Sequence, residues 1–249
     1  MCLSALSLGA QAPQTPAASP QTTQPLPLGP ARERGASITP AFEGWYQNPD
    51  GTYSLLIGYF NRNRAEALDI PVGPNNRIEP GPIDQGQPTH FETGREWGVF
   101  VIKVPKDFGT KTLTWTIVSN GESQSIPFGV TKGYTIEPYQ ESGMGNKPPE
   151  LTFTPGGPKV FGPPTTVAAT FSGAVNEPVT IGFSVEDPKE VKKGSTETAK
   201  RTAGLVANLS FHKFRGPGAV KFDPATINVK TQGEAVTTKA TFSLPGEYL

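Results

Sequence analysis

The stretch Gly44 to Phe60 constrains this chain more than any other. Two aromatic-rich runs flank Asn48-Pro49-Asp50-Gly51. Proline presets φ for a turn, aspartate can close it with its side chain, and glycine takes the positive φ that ends it. The reading is a β-hairpin. On its second arm Tyr53, Leu55, Ile57 and Tyr59 fall on one face and Ser54, Leu56, Gly58 and Phe60 on the other. Both faces are largely apolar, which predicts a central strand covered on both sides.

The same punctuation runs through the rest of the chain. Glycine and proline number 28 and 27 of 249 residues, a share well above the roughly 12% of average proteins. Alternating hydrophobicity between those breakers points to short strands joined by tight turns, and so to an all-β fold. Lysine plus arginine equals aspartate plus glutamate at 22 each. That balance leaves no excess positive charge to attract nucleic acid, and none is expected as a partner. Cys2 is the single cysteine, so neither an intrachain disulfide nor a thiolate metal cluster can form.

Residues 1–12 end in Ala10-Gln11-Ala12 after a short apolar run, the pattern of a secretory-signal remnant, although a basic leading region is missing. The expectation is a secreted, periplasmic or cell-surface protein. No segment approaches the roughly 20 apolar residues of a membrane-spanning helix. Residues 13–40 are rich in Pro, Gln and Thr and read as a disordered tether. Residues 41–139 form the expected first β-sandwich domain. In it, Leu113, Trp115 and Ile117 alternate with Thr112, Thr114 and Thr116, and Ser119-Asn120-Gly121-Glu122 makes a second hairpin turn. Residues 71–88 read as a long loop, functional or mobile, and Tyr134 to Tyr139 as a closing strand.

Residues 140–149 read as a linker and residues 150–249 as a second antiparallel sandwich. Its inward sets are Val167, Ala169 and Phe171; Val179, Ile181, Phe183 and Val185; Leu205, Ala207, Leu209 and Phe211; and Ala240, Phe242 and Leu244. Residues 187–204 read as a solvated insert with a weak helix over 196–203. The segments Gly216 to Phe222 and Ala240 to Leu249, with Pro245-Gly246-Glu247-Tyr248, resemble bacterial immunoglobulin-like and PKD-like modules. The region Phe42 to Asn63 resembles uncharacterised secreted proteins of environmental bacteria. The first resemblance implies an immunoglobulin-like sandwich in which a Pro-Gly-x-Tyr turn leads to a penultimate strand and then a final one. The last strand has no counterpart here, which implies an incomplete sandwich with an edge open to a strand of another chain.

Chemistry is sparse. No nucleophile elbow, phosphate loop or His-Glu-x-x-His helix occurs. His90 closes the long loop, where it could orient a ligand or bind a metal with Asp84 or Glu79; polar surface is the plainer reading. His212 reads as surface, opposite Leu209 and Phe211. The two histidines fall in different expected domains, which argues against a joint site. Asp69, Glu79, Asp84, Glu92 and Glu96 qualify by position as hydrolytic acids, but nothing selects a pair. The remaining candidate is a glycan-stacking rim built from Trp45, Tyr46, Trp97, Tyr134 and Tyr139, with Arg62, Arg64, Asn75, Asn76 and His90 as polar neighbours; core and rim packing of the aromatics is the competing reading. The expected function is therefore non-catalytic, without cofactor: adhesion, scaffolding or surface assembly. A carbohydrate-binding module and a polysaccharide hydrolase are the alternatives.

Overall fold

The first hairpin forms as read. β1 (Ile38–Gln47) pairs antiparallel with β2 (Tyr53–Asn61), and the turn closes through Asn48 N to Thr52 O at 2.8 Å. In this computed structural model, residues 32–137, 149–153, 157–162, 167–187 and 205–249 are described. β2 is central in a three-stranded sheet ordered β1-β2-β6, where β6 is Gly94–Val104. Leu55 and Ile57 are wholly buried on one face and Leu56 is buried on the other, as the two apolar faces require.

A second three-stranded sheet, ordered β4-β7-β8, consists of β4 (Asn76–Glu79), β7 (Thr112–Ser119) and β8 (Glu122–Gly129). Its β7–β8 turn places Asn120 at φ 49° and Gly121 at φ 79°, the pair of positive values that a tight hairpin needs. The two sheets, joined by the short pair β3 (Leu68–Asp69) and β5 (His90–Phe91), enclose one core. At its centre Trp115 is wholly buried, edge-on to Phe100 at 5.1 Å between ring centroids. The indole N–H donates to Asn76 Oδ1, and the Asn76 amide donates to Ile70 O and Pro88 O.

The second group of strands has its own core. β9 (Glu150–Phe153), β10 (Lys159–Val160), β11 (Pro178–Glu186), β13 (Val220–Asp223) and β15 (Glu234–Phe242) form a sheet ordered β10-β9-β11-β15-β13. β12 (Ala207–Ser210) and β14 (Thr226–Val229) pair separately. Phe183, Val185, Val229 and Val236 are its buried hydrophobic centre, with Leu209 and Phe211 against them. Every ladder between named strands is antiparallel. The described residues belong to one compact unit with two cores.

Several expectations are corrected. Order begins before residue 41: Ala36, Ser37 and Ile38 are buried, because Asn63 pairs with both backbone groups of Ala36 and Ser119 accepts from Ile38 N. The tether reading therefore fails over residues 32–40, and residues 1–31 lie outside the described ones. The expected 71–88 loop contains β4, since Asn76 and Ile78 face the core. Lys132–Tyr134 is a 3₁₀ turn, and no strand begins at Tyr134; Thr135 makes a single bridge to Trp45. Val167 and Phe171 are 64% and 39% exposed and lie in no strand, because alternation cannot supply the neighbouring ladder that a strand needs. The expected linker except Pro149, and the weak helix over 196–203, lie outside the described residues.

Candidate functional site

Among the described residues, the segment from Phe211 to Arg215 runs from one core to the other. Phe211 packs in the second core and Phe214, three residues on, packs against the first. Phe214 O accepts from Thr89 N at 3.1 Å and from His90 N at 3.2 Å. Leu249 O accepts from Phe214 N and Arg215 N, tying the C-terminal residue to the same strap. On one side of Phe214, the Arg215 guanidinium grips both oxygens of Asp84 at 2.8 and 2.9 Å and donates to Gln87 O. The region expected to be a loop is thus the platform on which the strap sits. Wholly buried Gln87 stiffens it, since its amide donates to Ile83 O and Asn76 O and accepts from Gln85 N.

On the other side of Phe214 lies a cluster of charge. Asp69 and His90 face each other across the β3–β5 ladder, and Glu92 follows on the same side as His90. His90 Nδ1 lies 2.8 Å from Asp69 Oδ1, and its Nε2 lies 3.2 Å from Glu92 Oε1. The same Glu92 oxygen is 3.2 Å from His212 Nδ1. Lys213, buried, reaches Asp69 Oδ1 at 2.8 Å and Gly218 O at 2.9 Å. Tyr59, from the core, accepts from Glu92 N.

A carboxylate at each nitrogen of an imidazole favours its doubly donating cation over the neutral ring. Burial opposes the charge on His90, but the Glu92 and Asp69 bonds outweigh it and raise its pKa. His212 is raised by its bond to Glu92, against a smaller burial cost. Glu92 is held well below the carboxylate range by His212 and then His90. Asp69 is lowered, burial opposing while Lys213 and His90 prevail. Glu96 moves the other way, raised by burial.

The expected ligand residues separate. Trp45 is half-buried, edge-on to Tyr53 at 5.4 Å, with its N–H bonded to Thr131 O. Tyr46 is half-buried beside it. Arg62 is buried and donates to Thr39 Oγ1; exposed Arg64 lies 3.9 Å from Glu33. Asn76 is wholly buried, with all three of its amide contacts inside the first core. Exposed Asn75 lines a groove of about 450 Å³ between residues 68–75 and 118–120. His90 does not meet Asp84 or Glu79, which pair with Arg215 and Arg77. The two histidines do share a site, through Glu92, contrary to the expectation that falling in separate domains argues against one.

Of the candidate aromatics, Trp97 is the more exposed of two that face solvent; Tyr134, 54% exposed, packs its ring 5.5 Å from Phe42, and Tyr139 lies outside the described residues. Trp97 is 72% exposed, and the Arg95 guanidinium lies 3.8 Å from its ring centroid. Arg95 also pairs with Glu43 at 2.9 Å and donates to Tyr59 O. This support crosses the sheet over Gly58, where an added Cβ would lie 2.2 Å from Glu43 Oε1. The β2–β6 register shifts at Gly58, and Gly98 takes φ 57°; such bulges re-aim side chains.

Sequence reasoning missed Lys213 and Arg215 altogether. The available signal was His212-Lys213-Phe214-Arg215, three basic side chains around one phenylalanine in a chain of zero net charge. No protein-family model, curated protein or solved structure matches this chain.

Proposed function

We propose that this chain is a non-catalytic exported module that holds two sandwich bodies in a set orientation, as an adhesion, scaffold or surface-assembly component. The observation that carries the reading is the strap, with Phe211 in one core and Phe214 in the other. A stiff connection of this kind suits presentation of loops and sheet edges more than it suits turnover, since Asp69, Glu92 and Asp84 at the joint are engaged by basic partners. An immunoglobulin-like assignment of the second body draws support from Tyr248, whose hydroxyl donates to Leu244 O four residues upstream. The tyrosine corner of immunoglobulin domains likewise bonds a hydroxyl to the backbone a few residues upstream. Strands β10 and β13 end the five-stranded sheet among the described residues, and pairing of a partner strand at either edge is the proposed contact with another chain.

Small-angle scattering together with sedimentation over a wide concentration range tests this reading. One rigid envelope and concentration-dependent association support it; independently moving bodies that stay monomeric throughout would remove it.

A second reading, glycan binding, is favoured by Trp97 and its Arg95 support. A glycan array probed with wild type and Trp97→Ala separates the two: wild-type signal that the variant loses supports it, and silence from wild type ends it.

A further inference from the structure

We propose that the joint between the two cores is a pH-sensitive clasp, in which protonated His212 ties the strap to Glu92, protonated His90 holds Glu92 and Asp69 in place to receive it, and deprotonation of both imidazoles loosens the contact. The proposal concerns how the bodies are held and does not depend on what the protein binds.

The geometry sets out the charges that face one another. Asp69 comes from β3, His90 from β5, Glu92 and Glu96 from the turn into β6 and β6 itself, and His212 and Lys213 from the strap. Arg95 also faces this side but is paired with Glu43, and Tyr59 contributes a hydroxyl. With both imidazoles charged, three cations (His90, His212, Lys213) oppose three anions (Asp69, Glu92, Glu96), a local sum of zero. Losing two protons leaves one cation against three anions, a sum of −2. Lys213 keeps its contact with Asp69, whereas Glu92 loses both of its cationic partners at once.

The sign follows from linkage. Both histidines have pKa values above 6.5 in the folded chain, so their contribution is complete below 6.5 and is lost as pH rises through the raised values. Asp69 and Glu92 are lowered, so theirs is complete above the ordinary carboxylate range and is lost on strong acidification. The clasp is tightest in mildly acidic solution and loosens toward alkaline pH. Phe214 in the first core and the Arg215–Asp84 pair carry no imidazole, so the bodies stay tethered when it loosens.

Having only two histidines makes the test direct, because NMR titration of the full chain shows two imidazoles. Both are expected to titrate above 6.5, with the Thr89 and His90 amide shifts following them. Hydrogen exchange at those amides, corrected for intrinsic rate, is expected to show opening increased roughly tenfold between mildly acidic and mildly alkaline solution. The double variant His90→Gln, His212→Gln is expected to show no such rise. Imidazoles titrating at or below 6.5, a pH-independent opening in wild type, or a double variant with wild-type pH dependence would each overturn the proposal. If the double variant does not fold, the wild-type titration and exchange decide it alone.

Discussion

The two cores are unequal. Fifteen buried hydrophobic residues, Trp115 among them, centre the first; among the described residues four centre the second. A fully buried aliphatic or phenyl side chain contributes roughly 1.5–3 kcal/mol, so the described residues of the second core contribute less burial energy than those of the first. The difference teaches that the second body leans on the first. Phe214 and the Arg215–Asp84 pair lie on the first body's surface, and Leu249 is bonded to their backbone. The strap is therefore expected to stabilise the body with the smaller described core.

The largest expected effect tests the larger core. Trp115→Ala removes a wholly buried indole, strips Asn76 Oδ1 of its donor and should cost about 3–5 kcal/mol. Denaturant unfolding followed by far-ultraviolet circular dichroism measures it. Both bodies should lose stability together; a second body that keeps its own transition unchanged would break the dependence argued above.

Phe214→Ala acts from the other side. The ring is only partly buried, so about 2 kcal/mol is expected, less than for a fully buried phenylalanine. The sharper expectation is its distribution. Exchange protection on β11 and β15 should fall while that on β2 and β7 holds, and equal loss in both sheets would contradict the comparison.

The sequence exposed the two cores unevenly, and the site hardly at all. Trp115 and Ile117 were legible because a strand with one dry face writes its pattern every second residue. The hairpin at Asn120-Gly121 was legible because positive φ restricts residue choice. Asn76 was misread as a ligand donor, since a buried asparagine that completes a tryptophan's hydrogen bond carries no local signature. Val167 and Phe171 alternated without a ladder to join. The clasp was invisible for a different reason: Asp69 meets His90 only through the β3–β5 pairing and His212 meets Glu92 only after the strap crosses between bodies, and periodicity carries no information about contacts at that separation. Charge around Phe214 was the one local hint.

Arg215→Ala ranks third. Its guanidinium is mostly covered, but Asp84 is more than half exposed, so solvent screening limits the loss to about 1 kcal/mol. Asp84 is held below its usual pKa chiefly by Arg215. Wild type should therefore gain stability from this pair above the ordinary carboxylate range and lose it on acidification. Thermal unfolding at neutral pH and in acid should show the variant's deficit shrinking in acid. A deficit of the same size at both pH values would mean that the arginine acts through packing and its bond to Gln87 O.

Trp97→Ala has the smallest expected effect on folding, and that makes it informative. The indole is mostly in water and touches the fold through Arg95, which keeps Glu43 and Tyr59 O as partners when the ring is gone. An exposed cation–π contact contributes about 0.5–1 kcal/mol, and little else is removed. Differential scanning calorimetry should place the variant close to wild type, and both β11 and β2 should keep their exchange protection. A large loss would show that Trp97 braces the bulge at Gly98, leaving it no freedom to meet a ligand. With stability unchanged, any binding the variant lacks is attributable to the ring itself, and the first body then bears the recognition surface while the second supplies the spacing.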